Sequence, residues 1–96
     1  MYCYSVFDRK ANCYNTPFFC LTDGVAVRNF QDLVLDSRSS VNRHPDDYSL
    51  YKIGEFTEAS GLLIPLSAPA HISNATEFAA NISSNCDVSS LTPSEA

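Results

Sequence analysis

The segment His44-Pro45-Asp46-Asp47-Tyr48-Ser49-Leu50-Tyr51-Lys52-Ile53-Gly54-Glu55-Phe56 does most to limit what this chain can fold into. Pro45 disfavours helical geometry at His44, and Pro-Asp-Asp is a turn signal, so the chain enters the segment extended. Residues 48–56 then combine aromatic and β-branched residues in the strongest strand pattern of the sequence. One alternating set is Tyr48, Leu50, Lys52, Gly54 and Phe56; the other is Ser49, Tyr51, Ile53 and Glu55. Gly54 points to a bulge or to a close approach by another backbone. Residues 57–61 have the length of a hairpin loop and end in Gly61. Leu62-Leu63-Ile64 returns as a second strand, which Pro65 ends or confines to a sheet edge. The rest of the chain must pack on this hairpin.

Before it, Tyr2-Cys3-Tyr4-Ser5-Val6-Phe7 has strand composition, and Asp8-Arg9-Lys10-Ala11-Asn12 is a polar turn. Residues 13–21 are apolar but interrupted by Pro17, which predicts an extended loop that inserts Phe18 or Phe19 into the core. Thr22-Asp23 offers an N-cap and a negative charge to a helix over residues 24–35. Ala26, Phe30, Leu33 and Val34 make its apolar stripe. Residues 36–43 read as a polar connection, with room for one short turn. Beyond the hairpin, Ser67-Ala68-Pro69-Ala70 reads as a linker, and Asn74 with Glu77 as a capping box for a short helix over residues 75–82. Residues 83–96 are polar, acidic and without period, which predicts a frayed tail behind a single domain over residues 1–82.

The order β-α-β-β-α predicts an α+β fold: a small three-stranded, mainly antiparallel sheet with two helices on one face. A right-handed crossover would set the first strand parallel to the second. With the third strand between them, the sheet has order 1-3-2 and forms a split β-α-β, ferredoxin-like without its last strand. The alternative order puts the first strand directly beside the second. Either arrangement leaves one sheet face without helical cover, with Tyr2, Tyr4, Tyr51 and Ile53 as its candidate residues. An apolar face of that kind calls for a dimer, a partner or a ligand.

Catalysis finds little support in the sequence. Only two histidines, His44 and His71, could serve as bases, and neither sits in a nucleophile motif. Cys3, Cys13, Cys20 and Cys86 contain no Cys-x-x-Cys pair, so no metal site is expected. No apolar run approaches the roughly 20 residues of a membrane span. Met1 is followed by Tyr-Cys-Tyr-Ser-Val-Phe, without the basic start of a signal peptide, which predicts an intracellular protein with reduced thiols.

Charge is unevenly distributed. Residues 1–56 hold all six bases and seven acids, net −1, whereas residues 57–96 hold four acids and no base, net −4. Bulk attraction cannot bring such a chain to nucleic acid; its bases would have to gather on one face. The candidates are Arg9, Lys10, Arg28, Arg38, Arg43 and Lys52, with Tyr51 beside Lys52. Cations that follow phosphates and rings that stack on bases are how sheets hold single strands.

Several of these segments also carry a family pattern. Residues 4–7 with the turn at Asp8, Thr16-Pro17-Phe18-Phe19, Asp23-Gly24-Val25-Ala26-Val27-Arg28-Asn29-Phe30 and the segment 44–56 follow one another in an order and spacing that resembles the small nonstructural protein of gokushoviruses, single-stranded DNA phages of the Microviridae. The resemblance runs from residue 2 to about residue 82. It implies a non-capsid protein of the infected bacterial cytoplasm, commonly labelled DNA-binding, acting in genome replication or in packaging. Arg28 and Arg43 fall within the pattern; phosphate contact by them is inferred from their charge. The expectation is a non-enzymatic homodimer that binds single-stranded DNA and needs no cofactor. The rival is an adaptor that docks on the phage replication initiator or procapsid.

Overall fold

Residues 44–56 form both features expected of them: Pro45–Asp47 is a single 3-10 turn, and Tyr48–Thr57 is a strand. The structure, a computed structural model, describes residues 1–79. In chain order its elements are β1 (Tyr2–Asp8), β2 (Cys13–Tyr14), β3 (Phe18–Cys20), α1 (Asp23–Leu35), α2 (Ser40–Arg43), β4 (Tyr48–Thr57) and β5 (Leu62–Asn74), with residues 76–79 again helical. The expected end of the last helix and the expected tail over 83–96 lie outside the described residues.

The chain is α+β with an antiparallel sheet, as expected, but the three-strand layout is not the one formed. The sheet runs β2-β1-β4-β5, with β3 also paired to β1. The first strand lies directly beside the hairpin strand and antiparallel to it, from Tyr2↔Glu55 to Asp8↔Tyr48. The cause lies in residues 13–21, read as a loop. Cys13 pairs with Asp8 and Cys20 with Tyr2, so β2 and β3 run back along the free edge of β1 as one interrupted strand. Pro17, which has no amide proton to donate, falls in the interruption. There Asn15 N donates to Val6 O at 2.9 Å, and Ser5 Oγ donates to Asn15 O at 2.6 Å. A split β-α-β does exist: β3 and β4 are parallel to each other, flank β1, and are joined through α1.

The second correction concerns residues 67–70. They form no linker; β5 runs the full length of Leu62–Asn74 and includes Pro65 and Pro69. It can do so because it is an edge strand, where a missing amide proton breaks no ladder. Lys52 pairs with Ala70 and Gly54 with Pro65, so Leu66-Ser67-Ala68-Pro69 bulge out opposite Ile53. Gly54 marks the close approach its sequence suggested: a Cβ there would lie 2.9 Å from Ile64 O.

Helix α1 is capped by Thr22, whose hydroxyl accepts from Val25 N. Its buried face is Ala26, Phe30 and Val34, while Leu33, expected in the stripe, is 36% exposed. Those side chains meet Tyr4, Val6, Cys20, Val41, Tyr48, Leu50 and Ala75 in one core on one face of the sheet. Full burial of a side chain such as Phe30 or Leu50 is worth roughly 1.5–3 kcal/mol. Phe18, not Phe19, turns inward; its ring stacks on Tyr4 with centroids 5.9 Å apart. Phe78, from residues 76–79, meets Phe30 edge-on at 6.2 Å, so this helical segment leans on the same side as α1. Its N-terminus carries half of the expected capping box: Glu77 Oε2 accepts from Asn74 N at 2.8 Å.

Candidate nucleic-acid interface

Strand alternation decides which side chains face away from the helices. Tyr4, Val6 and Leu50 enter the core, so Ser5, Phe7, Ser49 and Tyr51 project from the opposite face. Register extends that face sideways: Phe7 is opposite Tyr14, Tyr51 opposite His71, and Ser49 opposite Asn74. The helical members of the core cluster, Ala26, Phe30, Val34 and Val41, pack on the other side, together with Ala75 from the turn after β5.

The open face has two zones. The first is aromatic and polar. Ring centroids lie 4.8 Å apart for Phe7 and Tyr14, 5.7 Å for Tyr14 and Tyr51, and 5.4 Å for Tyr51 and His71. The Tyr14–Tyr51 and Tyr51–His71 pairs meet edge to face, the arrangement aromatic quadrupoles favour. A hydrogen-bonded chain runs beside the rings. Arg9 Nη1 donates to Asp46 O at 2.8 Å and Arg9 Nη2 to Ser49 Oγ at 3.2 Å. Ser49 Oγ in turn donates to Asn74 Oδ1 at 2.8 Å. His71 Nε2 is 2.8 Å from the same oxygen, which can only accept, so that nitrogen carries the proton. The second zone, built from Met1, Cys3, Phe19, Phe56 and Leu63, is apolar.

The sequence candidates divide between the two sides of the molecule. Arg9 and Tyr51 belong to the open face. Lys10 is exposed in the turn after β1, beside a cavity of about 430 Å³ that Asp8, His44, Asp47 and Tyr48 also line. Arg28 is exposed on α1. Arg38 is held by Asp36, Nε to Oδ1 at 3.1 Å, and this guanidinium keeps the Asp36 carboxyl below its usual range. Arg43 reaches back to Arg38 O at 3.2 Å. Lys52 turns to the helix side, with Nζ 3.0 Å from Asp23 Oδ1 and 4.3 Å from the centre of the Tyr2 ring. The six bases therefore do not gather on one face.

Tyr2 and Tyr4, expected on the uncovered face, are corrected to the helix face. Tyr2 packs against the core, and Tyr4 is wholly buried with its hydroxyl donated to Asp23 Oδ1. Burial first, and then that bond to a carboxylate, push the Tyr4 phenol well above its ordinary pKa. Sequence reading missed Phe7, Tyr14, Ser49, His71 and Asn74. The alternation of β1 holds the signal for Phe7, but Tyr14 lay in a segment read as loop, and His71 lay between the expected linker and the expected last helix, assigned to neither.

Among the described residues no group of three or more His, Cys, Asp or Glu side chains is placed to hold a metal ion. Cys3 and Cys20 are buried, Cys13 is exposed, and all three are free thiols. No helix among the described residues is long and apolar enough to cross a membrane.

Comparison with known proteins gives this one-sided α+β domain its class: it is a phage protein. The chain belongs to the family described as Phage ORF5 protein, whose model matches residues 1–78. It is 37% identical over 83 residues to Protein ORF5 of Chlamydia phage 1, an alignment that covers 81% of this chain and 86% of that protein. No solved structure matches. The resemblance noted in the sequence thus holds for a phage protein, and neither description names DNA.

Proposed function

We propose that this phage protein binds single-stranded DNA on the open face of its sheet, inside the infected host cell, during genome replication or packaging and without catalysis. The observation that carries this reading is the joint placement of Arg9 with the Phe7-Tyr14-Tyr51-His71 cluster on one uncovered sheet face. Bases would stack on Tyr14 and Tyr51, and phosphates would meet Arg9 with Lys10 from the adjoining turn. Aromatic stacking contributes roughly 1–3 kcal/mol per base and tolerates any sequence. With so few cations in reach, affinity would rest on stacking more than on charge.

A second reading is favoured by the charge distribution. Arg28, Arg38, Arg43 and Lys52 lie away from the open face, and the whole chain carries −5. An adaptor that docks on a phage replication or procapsid protein would need no basic face. Anisotropy of a labelled single-stranded oligonucleotide at low salt separates the two. Micromolar affinity that weakens as salt rises supports DNA binding; no binding at roughly 100 µM protein, a Kd weaker than about 5.5 kcal/mol can supply, refutes it.

A further inference from the structure

His71 ends the hydrogen-bonded chain that begins at Arg9. It lies on β5, an edge strand, and its side chain is exposed. Register sets it opposite Tyr51, and the two rings meet edge to face with centroids 5.4 Å apart. Its Nε2 donates to Asn74 Oδ1, the oxygen that also accepts from Ser49 Oγ. The tautomer is thereby fixed, and Nδ1 on the other side of the ring is left as an acceptor. Among the described residues that nitrogen has no hydrogen-bond partner.

We propose that His71 contacts single-stranded DNA in two ways: its ring extends the stacking surface of Tyr14 and Tyr51, and its protonated form adds a phosphate contact, so that binding tightens as pH falls. This rests on the DNA-binding reading above and adds a regulation to the same face. Protonation at Nδ1 leaves the face intact, because the Nε2–H bond to Asn74 persists and becomes charge-assisted. The gain is large for so sparse a set of cations, which otherwise counts Arg9 and the adjoining Lys10. No carboxylate stands among Ser5, Phe7, Tyr14, Ser49 and Tyr51, the other strand residues of this zone. The titratable and charged groups around the ring are the Tyr51 phenol on β4, Arg9 behind Ser49 and Asn74, and Glu77, which accepts from Asn74 N. Arg9 opposes the added charge and Glu77 favours it. The other histidine, His44, lines a hollow with Asp8 and Asp47, whose carboxylates offset its charge.

Anisotropy of a labelled oligothymidine about 10 nucleotides long, at about pH 8 and about pH 5.5, tests this. Thymine does not titrate in that range, and circular dichroism at both values confirms folding. Wild-type affinity should rise by roughly 3-fold or more at the lower pH, with the salt slope steeper by about 0.7. His71→Phe keeps a ring and loses the charge. It should bind within about 3-fold of wild type at the higher pH and show neither change. His71→Ala should bind roughly 5-fold more weakly at the higher pH and also lose the pH effect, whereas His44→Gln should keep it. A wild-type affinity that does not change with pH, or a pH effect that survives in His71→Phe, overturns this inference and leaves DNA binding standing. No binding by the wild type at about 100 µM at either pH overturns both.

Discussion

Lys52 and Asp23 form the ion pair that ties helix α1 to the centre of the sheet, with Nζ 3.0 Å from Oδ1. The same oxygen accepts the buried Tyr4 hydroxyl at 2.5 Å. Asp23 is also the first residue of α1, where a negative charge suits the helix dipole. One carboxylate thus joins β1, β4 and α1, and it commits Lys52 to the helix side while its neighbour Tyr51 takes the open face.

This geometry makes stability acid-sensitive. The Tyr4 hydrogen bond, followed by that of Lys52, holds the Asp23 carboxyl below its usual range. The unfolded chain therefore binds the proton more readily than the folded one. The stabilisation is complete above the ordinary Asp pKa of roughly 4 and is lost as pH falls through the lower folded-state value. Asp23→Asn should cost about 1 kcal/mol at pH 7, kept modest because the carboxylate is half exposed. It should also flatten the decline of the urea midpoint between pH 5 and pH 2 (~3 units). Urea titrations of both proteins across that range check this.

The open face predicts a division among substitutions that net charge alone would not. Tyr51→Ala should weaken binding of a single-stranded oligonucleotide by roughly 10-fold, the loss of one stacked base. Arg9→Ala should weaken it less and should reduce the salt slope by about one. Lys52→Met and Arg28→Ala should leave affinity within about 2-fold, because neither side chain belongs to the face that carries Tyr51. Anisotropy titrations at two salt concentrations read both quantities. Equal losses at Arg28 and Arg9 would instead mean diffuse charge attraction.

Local signals were legible in the sequence, and pairing was not. Thr22 caps α1, Pro45 turns the chain, and Gly54 meets a neighbouring backbone, each as its chemistry suggested. The direction of β1 was misjudged because β3 is three residues long, follows Pro17 and owes its strand geometry to β1. The extent of β5 was misjudged because prolines exclude only a central strand. The open face followed from register. Until β1 is set against β4 and β5, nothing places Phe7, Tyr14 and His71 around Tyr51.

Glycine substitutions test the hairpin at two points by different physics. At Gly54 an alanine Cβ would meet Ile64 O at 2.9 Å, a backbone atom that can move only with β5. Gly54→Ala should therefore cost about 1–3 kcal/mol. Gly61 has open space around it but a φ of +73°, so Gly61→Ala should cost about 1 kcal/mol through the backbone alone. Thermal melts rank the two. Only Gly54→Ala should also disturb the hollow of about 270 Å³ that Gly54 lines with Cys3, Ile53, Leu63, Ile64 and Pro65.

Two buried serines predict opposite signs for the same substitution. Ser49 Oγ accepts from Arg9 and donates to Asn74 Oδ1, so both of its roles are filled. Ser49→Ala removes a partner from each and should destabilise by about 1–2 kcal/mol. It should also weaken DNA binding by a few-fold, because Arg9 loses one of the two contacts that orient it. Ser73 Oγ is buried with no hydrogen-bond partner among the described residues. Among the described residues nothing compensates that hydroxyl for the water it gave up, a cost that Ser73→Ala removes. That variant should be unchanged or up to about 1 kcal/mol more stable, with DNA affinity untouched, since Ser73 pairs with Leu50 on the core side. Denaturant midpoints for the two variants, measured with anisotropy on the same samples, check both signs. A loss of stability in Ser73→Ala would mean that its hydroxyl does find a partner.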